Sequence, residues 1–228
     1  MASRESLPAR LGWLILFAVA FGFLEGAVVV YLRAIYYPDG FGFPLLLAAD
    51  RIARVELARE LATLLMLLGV AGLAARRPWG RFGAFAVAFG VWDLVYYLAL
   101  KVMLGWPASL ATWDVLFLIP GIWTGPVWAA LDIAVLLVVC GARIMAVDAE
   151  GYSPRPGWLD WLGCGISLAL LLTAFLWNHS LVEEGGVPVS FPWWFWVAGV
   201  AVALATFLRV FVLAPKTMGY PPATGLNR

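Results

Sequence analysis

The sequence predicts an all-α integral membrane protein, a six-transmembrane helical bundle with a re-entrant or interfacial segment between its third and fourth spans. Three observations predict it. The chain of 228 residues is 64% hydrophobic and only 13% charged, against roughly 25% charge in soluble domains. Its mean hydropathy is +0.91. Six apolar runs of about 20 residues, the length that crosses a bilayer core, use up nearly all of it. That leaves one membrane domain over 1–214 and no soluble module.

The first run, 11–33, follows Arg4 and Arg10 and has some look of a signal peptide. It is too long for a typical h-region and no A-x-A-like site ends it, so it reads as span one. In the second, 53–75, only Leu61 to Ala75 is uninterrupted, and Glu56, Arg59 and Glu60 crowd its start. Pro44 suits a first helical position. A helix from Pro44 to Ala75, roughly 48 Å long, would lay its first turns in the membrane interface. Spans 82–104, 126–146, 159–178 and 193–213 follow. Between the third and fourth, WPASLATWDVLFLIPGIWTGP is too apolar for a solvated loop and too broken by proline and glycine for a span. A re-entrant or surface-lying segment fits, satisfied by protein or by a wet cavity. The tail, 215–228, is polar and rich in glycine and proline, and reads as disordered and cytoplasmic.

With an even number of spans both termini share a side. Ten basic residues fall on that side (the tails and the loops after spans two and four) and five on the other, Arg33, Arg51, Arg54, Arg59 and Lys101. The positive-inside rule then puts both termini in the cytoplasm, as in a bacterial cytoplasmic (inner) membrane. Eight tryptophans fall at predicted outer ends and four at inner ends. Most form an aromatic belt, and the outer excess leaves some to line a pocket or lid.

Several function classes are excluded or poorly supported. A net charge of +1, with no basic patch, argues against nucleic acid. Cys140 and Cys164 lie in apolar runs without metal-ligand spacing and read as free thiols. No G-x-S-x-G, P-loop, dinucleotide fingerprint or H-E-x-x-H occurs. A di-iron bundle needs Glu-x-x-His pairs, and the lone histidine, His179, sits at a helix end as a hydrogen-bonded surface residue. Asn178-His179-Ser180 matches the glycosylation acceptor pattern, a short and unspecific match. The two halves share no pattern of broken helices, which weakens an inverted-repeat transporter. The sequence names no cofactor.

What remains is four carboxylates in four apolar runs: Glu25, Glu60, Asp93 and Asp132. An acid inside a bilayer-length helix is costly, and faces a bundle interior or a wet cavity by default. Counted from their helix ends, all four lie roughly 9–12 Å below the outer side. Helical spacing adds neighbours. Glu56 and Glu60 share a face, Arg59 lies beside them, and Asp93, Tyr97 and Lys101 form an i, i+4, i+8 ladder with Tyr96 on the next stripe. Ala18, Gly22 and Gly26 form a small-xxx-small pattern that puts Glu25 at a packed interface and offers a face to a partner helix. Two outer loops cover the site. One holds the turn Tyr37-Pro38-Asp39-Gly40. The other is the re-entrant candidate, which supplies Trp113 and Asp114. A weaker third runs around Asn178, His179, Glu183 and Glu184. If a metal binds, Glu25, Glu60, Asp93 and Asp132 are the ligands, and such a set favours a hard ion.

The expected function is an outward-facing, carboxylate-lined pocket that binds a small polar or cationic ligand or an ion, for transport or substrate capture. Six spans, cytoplasmic termini and an outer pocket under a long first loop look like the substrate-binding subunits of energy-coupling factor transporters, an analogy of architecture. Two other readings stay open. One is a membrane enzyme acting on a lipid or quinone head group, with the carboxylates as acid, base or metal ligands. The other is a structural subunit among other membrane subunits, in which Arg33, Arg54, Arg59 or Lys101 neutralises each acid.

Overall fold

A computed structural model of the chain describes residues 6–45 and 50–213, with the backbone alone for Asp50 and Arg51. The expected tail lies outside the described residues, as does the stretch 46–49. Six helices are long and apolar enough to cross a membrane. They are built from α1 (Leu7–Tyr36), α2 (Asp50–Ala74), α3 (Pro78–Leu104), α4 (Val127–Ala149), α5 (Trp158–Leu176) with the short α6 (His179–Glu183), and α7 (Trp193–Leu208) with the π-helical turn Arg209–Leu213. Pro44 lies in a bend ahead of α2, so the helix expected from Pro44 does not start there.

The all-α expectation is corrected between α3 and α4. Trp113–Phe117 (β1) and Trp123–Pro126 (β2) form a two-stranded antiparallel hairpin, with Asp114 opposite Gly125 and a register shift between Val115 and Phe117. Tryptophan, valine and phenylalanine favour a pleated, half-buried surface, and Pro120-Gly121 supplies the turn. The strands satisfy each other's backbone. Strand β2 then runs straight into α4, whose first amides, Val127 and Trp128, donate to the carbonyls of Thr112 and Leu110 at 3.0 and 2.9 Å.

Helix α3 is central and packs on α1, α2 and α4. Small residues set the closeness. A Cβ on Gly22 of α1 would lie 2.5 Å from the Trp92 carbonyl, and one on Gly26 2.9 Å from Ala99 Cβ. The Ala18–Gly22–Gly26 stripe is therefore filled by α3 of the same chain, not by a partner helix. On the other side of α3, Gly83 and Gly141 face each other, and Gly90 abuts Ala134 and Val138. A Cβ at Gly90 would collide with the Ala134 carbonyl. Gly90→Ala is therefore expected to destabilise the bundle by about 1–3 kcal/mol through overpacking, read as a drop in midpoint in detergent denaturation.

Helices α5 and α7 pair with each other. They join the rest through an aromatic cluster in which Trp123 stacks on Phe175, and Trp128 and Trp196 meet edge to face. At the far end Trp79 and Phe211 tie the start of α3 to the end of α7. Arg209 pairs with Asp160 at 3.0 Å, while Asp160 also accepts from the Gly157 amide at the start of α5.

Candidate functional site

The hairpin end of α1, α2 and α3 encloses a partly open cavity of about 210 Å³. Helix α1 brings Glu25 and Arg33, α2 brings Glu56, Arg59, Glu60 and Thr63, α3 brings Trp92, Asp93 and Tyr96, and β1 brings Asp114 and Phe117. Five carboxylates thus line one cavity with two guanidiniums.

Most of those charges are matched. Arg59 spans α1 and α2, pairing with Glu25 and, at 2.8 Å, with Glu56. Glu25 also accepts from the Thr63 hydroxyl at 3.2 Å. The buried Glu60 forms no ion pair among the described residues and accepts the Leu118 amide on both oxygens, at 3.1 and 2.9 Å. That contact fastens the start of the hairpin turn to α2. Arg33 reaches Asp114 at 3.2 Å, and both are buried, 7% and 1% exposed. The Tyr97 hydroxyl donates to the other Asp114 oxygen at 3.1 Å. The rings of Phe41 and Trp106 meet each other edge to face and both pack on the Arg33 guanidinium, with centroids 4.2 and 3.7 Å from its carbon.

Asp93 differs from these. It is partly buried on the cavity wall between Trp92 and Tyr96, and no donor or cation among the described residues pairs with its carboxylate. Its neighbour in charge is Asp114, which repels it.

Burial pushes the Asp114 carboxyl up from 3.8 to about 6, against the opposing pull of Arg33, the Tyr97 hydroxyl and the Val115 amide. The folded protein therefore holds this proton more tightly than the unfolded chain. Between about pH 4 and 6 the native state binds more protons, so this group's contribution to stability falls as pH rises through that window. Melting curves of the wild type and of Asp114→Asn should diverge there, the wild type gaining stability on acidification relative to the variant.

The far side of the hairpin is held as well. The Ile122 amide donates to His179 Nδ1 at 3.0 Å, and Gly121 lies against the same ring. His179 Nε2 faces Glu183 at 3.6 Å. His179→Ala should loosen the turn by about 1 kcal/mol, seen as faster amide exchange at Ile122.

The predicted residues sort clearly. Glu25, Glu56, Arg59, Glu60, Asp93, Tyr96 and Asp114 share the cavity, and Tyr97 supports it through Asp114. Lys101 does not reach it. Its amine, at the exposed end of α3, donates to the Gly105 and Pro107 carbonyls at 3.1 and 2.8 Å. Trp113 lies against Phe191, and Asp132 is exposed on α4. No three His, Cys, Asp or Glu among the described residues group closely enough to hold a metal ion, so Glu25, Glu60, Asp93 and Asp132 do not form a ligand set. The turn at Tyr37–Gly40 forms as expected, closed by the Gly40 amide on the Tyr37 carbonyl at 3.0 Å. The central part of Arg33, with its Phe41 and Trp106 faces, was not legible, although its place two turns beyond Glu25 on α1 is a signal.

No family model, no curated protein and no solved structure matches this chain.

Proposed function

We propose that the chain is an integral membrane protein of a cytoplasmic membrane, with both termini inside, and that its cavity captures a small cationic ligand from the outer side, for transport or delivery. Six helices of spanning length and apolar composition support insertion, and the distribution of lysine and arginine supports the orientation. The observation that carries the binding reading is Asp93, a carboxylate on the wall of a cavity with no partner among the described residues. Acids that only glued structure together would each have a partner. Glu25, Glu56 and Asp114 have a base and Glu60 has the Leu118 amide, whereas Asp93 has neither among the described residues.

A cation entering beside Asp93 would gain a charge partner and two aromatic walls, Trp92 and Tyr96, whose rings stack 6.3 Å apart. The excess of carboxylates would raise its local concentration. Calorimetric titration of tetramethylammonium chloride into the protein in nanodiscs tests this. Saturable one-to-one binding that weakens with salt is expected, and absence of binding at millimolar probe would refute the reading.

A further inference from the structure

We propose that the Asp132 side of α4 is the docking surface for a transmembrane helix of another protein, one that carries a lysine or arginine near mid-membrane. This rests on the reading of the chain as membrane-inserted and is independent of the cation cavity, which Asp132 does not line.

Two sides of α4 are occupied within the chain. Ala134, Val138 and Gly141 pack on α3. Ala129 and Ile133 pack into the aromatic cluster with Phe175 and Trp196. Asp132, Val135 and Val139 share the remaining side, at i, i+3 and i+7. All three are exposed, the valines to 48% and 61%. No hydrogen bond or ion pair joins the Asp132 carboxylate to another described residue.

Depth makes that exposure costly. Helices α3 and α4 run antiparallel, with Gly83 against Gly141 and Gly90 against Ala134. Two residues toward the hairpin from the second contact, Asp132 is level with Trp92. That is near the middle of α3, about 18 Å from Leu104 and about 21 Å from Pro78 at 1.5 Å per residue. At this level the open side of a spanning helix meets either hydrocarbon or another protein. An acid alone in hydrocarbon is strongly unfavourable, and intramembrane acids pair or face polar surroundings. Exposed valines by themselves need no cover, because lipid suits them. The acid is what calls for a partner, and it sets that partner's charge.

A second copy of this chain is a poor complement. Two copies inserted the same way, related by a twofold axis normal to the membrane, bring this side against itself. Asp132 would then face Asp132, and like charges so placed repel. A helix with one base at mid-span pairs with the acid and lays its apolar residues on Val135 and Val139. The same contact keeps its base out of lipid.

Energy transfer from the protein's tryptophans to a dansyl-labelled host helix in lipid vesicles tests this. The host is a tryptophan-free leucine–alanine span with one central lysine, which matches the depth of Asp132 in either orientation. Control hosts carry glutamine or leucine at that position. The wild type should bind the lysine helix about tenfold more tightly than either control, the scale of one interhelical polar contact. Asp132→Leu should fold normally and lose the preference. Equal association of the three hosts with the wild type, or an unchanged lysine preference in Asp132→Leu, overturns the proposal. Self-association of the wild type that Asp132→Leu abolishes also overturns it, since the occupant is then a second copy. If Asp132→Leu does not fold, the acid has an internal role and the docking surface is refuted. Failure of the wild type to float with vesicles after an alkaline wash would instead refute insertion itself, and the docking surface with it.

Discussion

Asp93→Asn is expected to weaken binding of a cationic probe by a hundredfold or more while leaving the fold intact. The substitution keeps the shape and removes the charge. Taking away one member of a desolvated charge pair typically costs about 2–5 kcal/mol, and here the lost partner is the ligand's. Inside the protein nothing is broken, since no described residue donates to this carboxylate. Repulsion with Asp114 is even relieved. Thermal stability should therefore stay within about 0.5 kcal/mol of wild type or rise slightly, the usual range for a change away from internal partners. Calorimetry and melting curves on the same nanodisc preparation separate the two effects. A variant that fails to fold would make Asp93 a structural residue.

Arg33→Ala carries the opposite expectation, a large loss of stability. Among the described residues it leaves Asp114, 1% exposed, with the Tyr97 hydroxyl and a backbone amide as its partners. Removing one partner of a buried pair costs about 3–5 kcal/mol, because the other charge is left uncompensated. The guanidinium also holds Phe41 and Trp106 together, so the first loop and the start of the hairpin connection should loosen with it. The double variant Arg33→Ala/Asp114→Asn should recover part of the loss, since the stranded charge is gone. Denaturation midpoints of the three proteins check this. No recovery in the double variant would mean that ring packing, not charge, dominates at Arg33.

These two residues also show what was legible in the sequence. Run length gives the six apolar helices, because a span must be long and continuous whatever its neighbours are. Depth gives the convergence of Glu25, Glu60 and Asp93, because 1.5 Å per residue fixes how far each lies along its helix. Depth does not give rotation. Asp132 lies at a matching depth, yet α4 packs on α3 through Ala134, Val138 and Gly141. Asp132 is two residues from Ala134, so it points to nearly the opposite side of the helix and is exposed. Lys101 fails for a related reason. The ladder from Asp93 is correct in spacing, but a long amine at a helix end finds the last carbonyls first.

The hairpin was hidden by its composition. Its strands of five and four residues are as apolar as a helical run, and short apolar runs do not reveal their period. The Pro120-Gly121 turn between two aromatic segments was the available signal. Missing it also hid the Leu118 amide as the partner of Glu60. The small stripe on α1 gave close packing correctly and the partner wrongly, since glycine spacing says that a helix approaches and not which one.

The most direct test of the central claim, a cation held on Asp93 in this cavity, is native mass spectrometry of the protein released from membranes, wild type beside Asp93→Asn. The account predicts one small cationic adduct on the wild type that is absent from the variant. The same adduct on both proteins, or an anionic adduct on the wild type, would contradict it.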